Sequence, residues 1–349
     1  MTPLPVPRWV DDSIAAALQD TPAIAMNGAR QVGKSTLAAA LAYPGSAEFV
    51  TLDDPGSRAA ANLDPRAFVQ RRVDTLVINE VQLVPALFRA IKAEIDRDRR
   101  PGRFLLTGSS RLLSAPDMAD ALVGRVETIE LWPFAQCEIE DARRRSSWLD
   151  SYVTTEVERT ILQISDIQRT ADLPRLLRLC AARTAQELNT SNLADEFGIP
   201  AKTVGTYLAH LANAFLVHPI PAWSVNLSSK VIRRPKLVMV DTGLAAHLLG
   251  TGPTSLASPQ SPLGALLETF VATEVMKQLT WSDNRPRLHH FRDRNGAEVD
   301  LVLDYPDGRV VGIEVKATST PRAEDFRGLR WLADKLGPRF AHGILLSTT

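Results

Sequence analysis

The chain has 349 residues, 45% of them hydrophobic and 23% charged, a soluble globular balance too long for one ordinary core, so two or three domains are expected. Forty Lys and Arg offset forty Asp and Glu, which excludes a global basic field for nucleic acid and leaves only local patches for such contacts. Two distant cysteines, Cys137 and Cys180, exclude a disulfide framework and a zinc site, and no apolar run is long enough to span a membrane. The start, "MTPLPVPRWVDDS", lacks a signal-peptide pattern, and a reducing cytoplasm is the expected compartment.

The first expected domain spans residues 1–148. Its short apolar runs "AIAMNG", "EFVTLDD", "TLVINE" and "RFLLTGSS" read as parallel strands, with crossover helices between them. After the first run comes "GARQVGKST", Gly28 to Thr36, a full G-x-x-x-x-G-K-[ST] phosphate loop ahead of the helix "TLAAALA". Gly28 and Gly33 permit backbone angles that aim N–H groups at phosphate oxygens, and Ala29, Arg30, Gln31, Val32 and Thr36 complete the cradle. The helix beginning near Lys34 adds its positive dipole end. Lys34 is expected on the β- and γ-phosphates of ATP, and Ser35 on magnesium.

The run "LVINEVQ" is the candidate partner strand. Asn79 stands where such a strand usually carries Asp. Its oxygen can accept a hydrogen bond from a metal-bound water, but without the charge magnesium binding is expected to be weaker. Glu80 is placed to orient or activate an attacking water; the competing reading is a plain strand end. The strand "FLLTGSS" offers Ser109, with Thr107 as the other candidate, to the γ-phosphate side of a parallel sheet, while Ser110 reads equally as a helix cap. Arg125 could stabilise charge on the transferring phosphoryl group, in the same chain or from a neighbour in a homo-oligomer, or be a surface arginine.

The second expected domain, residues 149–250, is mostly helical. "SNLADEF", capped by Thr190 or Ser191, the turn "GIP" and "AKTVGTYLAHLANA" form a helix-turn-helix, and "FLVHPIPAW" and "KLVMVD" read as the strands of a wing. Lys202, Thr203 and Thr206 could face a nucleic-acid backbone or groove, Tyr207 is the lone aromatic on that helix, and the loop 229–236 gathers Lys230, Arg233, Arg234 and Lys236 as a DNA-facing basic patch. A protein–protein or structural role is the alternative. A Gly/Pro/Ser-rich stretch, residues 250–264, reads as a linker.

The third expected domain, residues 251–349, opens with a helix carrying Glu268, followed by "GAEVDLVLDY" and "RVVGIEVKA" as a hairpin through "YPDG". Strand alternation puts Glu314 and Lys316 on one face, with Asp300 opposite. Asp300, Glu314 and Glu268 could converge on magnesium with Lys316 beside them; the competing reading is a solvated hairpin with one salt bridge.

The ordered set "GARQVGKST", "LVINEVQLVPALF", "GRFLLTGSS", "ALVGRVETIELWPF", "NLADEFGIPAKTVGTYLAHL", "PKLVMVDTGLAAHLLG" and "FRDRNGAEVDLVLD…GIEVKAT" resembles the prokaryotic AAA-like ATPases with an uncharacterised C-terminal domain, over nearly the whole chain. The resemblance implies an α/β multidomain fold: a parallel-sheet P-loop NTPase domain, a winged-helix middle region and a restriction-endonuclease-like α/β domain with the PD-(D/E)xK pattern. It implies an ATP- and magnesium-dependent ATPase whose nucleotide state controls DNA or partner engagement. An ATP-sensing DNA-binding regulator with negligible hydrolysis and an ATP-gated metal-dependent nuclease are the alternatives. Asn79 is the departure from the family pattern and bears on hydrolysis more than on binding.

Overall fold

The computed structural model describes residues 7–42, 47–108, 122, 124–135, 138, 172–224, 234–256, 258, 260–293 and 296–348. The chain forms two compact units, Met1–Asp141 and Ala142–Thr349.

The first unit is built on five parallel strands: β1 (Ala23–Asn27), β2 (Ala47–Thr51), β3 (Thr75–Asn79), β4 (Phe104–Gly108) and β5 (Val126–Glu130). Their order is β2-β3-β4-β1-β5. All five residues of β1 and of β4 are buried, as expected of parallel strands covered on both faces. The helix Ala86–Arg97 buries Leu87, Phe88, Ile91 and Ile95, helically spaced, in a core that also takes Ile78 and Leu106. Because every strand runs the same way, the ends of β1, β2, β3 and β4 meet on one edge, with Met26 opposite Thr107 and Thr51 opposite Asn79. That edge is where an open parallel sheet gathers its ligands.

In the second unit the helices Thr190–Phe197 and Ala201–Asn213 are joined through Gly198, whose left-handed φ of 74° ends the first helix. The cap is Asn189, not Thr190 or Ser191: its side chain accepts from Ser191 N at 3.2 Å and Asn192 N at 3.3 Å. An antiparallel sheet follows, with β8 (Lys236–Met239) between β6 (Gln186–Glu187) and β7 (Val217–Ile220). The remainder is the helix Leu263–Leu279, then β9 (Arg287–Arg292), β10 (Glu298–Asp304) and β11 (Val310–Lys316), the helix Arg327–Leu336, and β12 (Phe340–Ser347). The sheet runs β12-β11-β10-β9, antiparallel except for the β11–β12 pair. The stretch expected as a linker holds a short helix, Pro253–Leu256, and Leu244 before it shares a core with Leu266 after it. The residues expected as the second and third domains therefore pack as one unit.

Candidate functional site

The loop after β1 is shaped by close backbone approach. A Cβ on Gly28 would lie 2.2 Å from the Leu131 carbonyl oxygen, so only glycine fits there. Gly33 has φ +95° and Gln31 φ 62°, left-handed turns that fold the loop before the helix Lys34–Ala42 begins. Lys34 is buried, and its Nζ donates to the carbonyls of Gly28 at 3.0 Å and Ala29 at 2.7 Å. Burial pushes its pKa down to about 8, against the opposing charge of Glu80 and with the help of Arg30.

One amide ties the loop to the strand ends. Asn79 Oδ1 accepts from Ser35 Oγ and from Thr107 Oγ1, each at 2.7 Å, and Asn79 Nδ2 donates to Thr51 Oγ1 at 3.0 Å. Asn79 is 3% exposed, while Ser35, at one end of the network, is exposed. Both oxygen lone pairs are used within the protein, which leaves none for the metal-bound water expected from the sequence. The network is neutral, where an Asp would have brought a charge. Thr107, within β4, donates to Asn79; Ser109 and Ser110 lie outside the described residues. Glu80 follows Asn79 in a left-handed conformation, φ 56° and ψ 45°, which costs a non-glycine residue on the order of 1–3 kcal/mol. Its backbone N–H donates to Thr107 Oγ1 at 3.4 Å, and the Gln82 amide donates to its carboxylate.

Arg8 is a site residue that the sequence reading missed. Its guanidinium donates to the Val32 carbonyl of the phosphate loop at 3.0 Å, to the Trp132 carbonyl at 2.7 Å and to Glu138 Oε1 at 3.0 Å. It also lies 4.2 Å from the Phe134 ring centroid. Glu138 in turn accepts from Ala135 N at 2.8 Å and from Trp9 N at 3.0 Å. Nothing local in "VPRWV" marks this arginine, because every partner is distant in sequence or on backbone.

In the second unit Glu268 and Asp300 meet at Lys236, and Glu314 pairs with Lys316. Asp300 Oδ2 accepts from Val315 N at 2.9 Å, which fixes it against β11, and Lys316 donates to Glu314 at 2.6 Å. Lys236, 1% exposed, places Nζ 2.5 Å from Glu268 Oε1, 3.4 Å from Asp300 Oδ1 and 3.6 Å from Glu298 Oε1. Burial opposes the Lys236 charge, but these carboxylates outweigh it and hold the pKa above the ordinary lysine value. Burial, with the charge of Asp300 adding to it, raises Glu268 and Glu314 to about 7. Among the described residues no group of three or more His, Cys, Asp or Glu is arranged to hold a metal ion.

Residues 20–140 match the AAA domain family, residues 132–255 a domain of unknown function (DUF8612), and residues 263–349 another domain of unknown function (DUF4143). Over 333 residues the chain is 30% identical to the uncharacterized protein Rv2008c of Mycobacterium tuberculosis, covering 87% of this chain and 72% of that one. The uncharacterized protein Mb2031c of Mycobacterium bovis matches over the same lengths at the same identity. The chain belongs to this family of AAA-domain proteins. At the family level it is an ATP-binding P-loop ATPase. Among solved structures, a Walker-type ATPase of Pyrococcus abyssi is 12% identical, covers 69% of this chain and 94% of its own, and has a TM-score of 0.39. A signal-transduction ATPase with a tetratricopeptide repeat sensor from Pyrococcus horikoshii is 9% identical, covers 80% and 49%, and has a TM-score of 0.22.

Within this AAA-domain protein several expected residues stand elsewhere than expected. Arg125 immediately precedes β5, whose first residue, Val126, pairs with Ala23 at the start of β1, so it sits at the sheet edge opposite the phosphate loop. It pairs with Asp96, Nε to Oδ1 at 2.7 Å and Nη2 to Oδ2 at 3.2 Å. A strand of this length spans about 16 Å, so Arg125 does not reach the loop of its own chain. Tyr207 is buried in the core and offers no stacking surface. Lys236, expected in a solvent-facing basic loop, is in the acid cluster; Arg234 is exposed, and Lys230 and Arg233 lie outside the described residues. Lys202 and Thr206 are exposed, and Thr203 is half-buried. No helix among the described residues is long and apolar enough to cross a membrane.

Proposed function

We propose that this protein binds ATP with magnesium at Gly28–Thr36, hydrolyses it, and uses its nucleotide state to control engagement of DNA or a protein partner by residues 142–349. The observation that carries the reading is the Asn79 network. It joins the first turn of the loop helix, through Ser35, to the ends of β2, β3 and β4, and sets Glu80 beside them. Backbone N–H groups of the loop and the Lys34 ammonium are the groups for the phosphates. Magnesium, when bound, would offset phosphate charge; Ser35 is the side chain that would hold it, with Asn79 fixing the Ser35 hydroxyl. Glu80 is the group to orient the attacking water and take its proton. Glu80 follows β3 in a left-handed conformation, and the Gln82 amide donates to its carboxylate. Support for the second half of the reading is the helix pair with β7 and β8 as a winged-helix arrangement, which leaves Lys202, Thr206 and Arg234 exposed.

The test is steady-state ATP turnover of the full chain, with and without duplex DNA, beside Lys34→Ala, Glu80→Gln and Asn79→Asp. Turnover in the parent that Glu80→Gln abolishes, and nucleotide binding that Lys34→Ala abolishes, are the expected results. The neutral Asn79 supports a second reading, ATP held as a ligand: a parent that binds ATP without turning it over, with Asn79→Asp gaining hydrolysis, would establish that reading instead.

A further inference from the structure

The C-terminal sheet carries the D…ExK spacing of a metal-dependent nuclease, and its residues do not fit a metal as they stand. The central position among the carboxylates is held by a protein cation. Glu268 comes from the helix Leu263–Leu279, and Glu298 and Asp300 from β10; all three lie within 3.6 Å of Lys236 Nζ. Lys236 is 1% exposed. Its backbone is in the middle strand of a sheet, facing Glu187 on one side and Ile220 on the other. The remaining charges are also paired: Lys316 with Glu314 at 2.6 Å, and Arg292 with Glu298 at 3.7 Å.

One atom of the cluster is left over. Glu314 is 5% exposed, yet its Oε2 has no hydrogen-bond partner among the described residues. A buried carboxylate oxygen without a donor is costly, and a cation is what satisfies it. Glu314 stands next to Asp300 across the hairpin, since Leu301 pairs with Ile313. This oxygen lies next to Asp300 and is open to a cation.

We propose that Lys236 is a built-in cation that occupies the metal position of the C-terminal acid cluster. It locks the native chain against divalent ions there, and a neutral residue at 236 uncovers a divalent-cation site formed by the carboxylates that surround its ammonium, Glu268, Glu298 and Asp300, with Glu314 next to Asp300. One monovalent ammonium replaces one hydrated divalent ion, so the lysine both neutralises the acids and ties β8 to the helix and the hairpin.

The experiment measures Mn²⁺ binding to the full-length protein without nucleotide, by loss of the free-ion electron paramagnetic resonance signal, with a thermal melt in parallel. The proteins are the parent, Asp300→Asn, Lys236→Met, and Lys236→Met with Asp300→Asn; Lys236→Gln is carried alongside in case the methionine variant does not fold. The parent and Asp300→Asn are expected to bind Mn²⁺ alike. The neutral variant is expected to gain one site at least tenfold tighter than any the parent shows, with a Mn²⁺-dependent rise in melting temperature that Asp300→Asn removes. Binding in the parent that Asp300→Asn abolishes would overturn the proposal. So would folded neutral variants that gain no Asp300-dependent site.

Discussion

Replacing Arg8 with methionine tests whether the phosphate loop is held from below. The change keeps the length and apolar stem of the side chain and removes its donors to Val32, Trp132 and Glu138. Glu138, whose side chain is 1% exposed, would keep its charge and lose the cation that compensates it. Breaking a buried pair in this way costs about 3–5 kcal/mol, a large share of the 5–15 kcal/mol that typically separates folded from unfolded protein. Two backbone carbonyls lose charged donors as well, one of them inside the loop. Urea unfolding of the first unit, followed by amide exchange of β1 and β4, should register the loss, and ATP binding measured at low urea should weaken at least tenfold. Adding Glu138→Gln to Arg8→Met removes the stranded charge and should restore part of the stability. It should not restore ATP affinity, because the Val32 carbonyl is still without its donor. An Arg8→Met protein that loses under about 1 kcal/mol and binds ATP as the parent does would refute the account.

Gly28→Ala should abolish nucleotide binding while leaving the C-terminal unit folded, because its methyl group would press on the Leu131 carbonyl; unchanged ATP affinity would show that the loop has room to shift. Glu268 and Glu314, raised to about 7 from 4.5, hold protons in the folded chain that the unfolded chain has released, so their contribution to stability is full below about pH 4.5 and is lost as pH rises through 7. The fall is at most about 1.4 kcal/mol per pH unit for each group, less where the two share one proton. Amide exchange in β10 and β11 should report it, Glu268→Gln should flatten it, and stability that climbs over this interval would contradict it. Burial pushes the Cys180 thiol up to about 12, so iodoacetamide should leave it unmodified in the native chain at mildly alkaline pH and label it in urea. Native labelling at the rate of a free thiol would show that this core opens.

What was legible in the sequence follows from how each element is buried. The strands β1, β3 and β4 read as apolar runs because parallel strands with both faces covered have no polar side to show. At the sheet edge, β5, "VETIE", keeps alternating polar residues and was passed over, as were β9, "RLHHFR", and β12 at the two edges of the other sheet. The phosphate loop was legible because its chemistry is local. The Asn79 hydroxyl network, the Arg8 clamp and the Lys236 pairing were not, since each joins residues far apart in the chain. Lys236 misled for a further reason: next to "VIRRP" a lysine reads as one more solvated charge, and only the fold shows three carboxylates waiting behind it. Arg125 was a plausible partner for phosphate until the direction of β5 put it at the wrong end of the sheet.

The strand order sets a schedule for assembly. β2 and β3 are neighbours in sequence and in space and can pair as soon as both exist, but β1 pairs only with β4 and β5. Ala23 must wait for Phe104 and Val126, and at about 5–20 residues per second that delay on the ribosome is on the order of 4–20 s. During it the strand that carries the phosphate loop awaits its partners, and the pairings of β1 close the longest loops of the four strand pairings in this sheet. The nucleotide site, which draws on β1, β3 and β4, is complete only once strands far apart in the chain have paired.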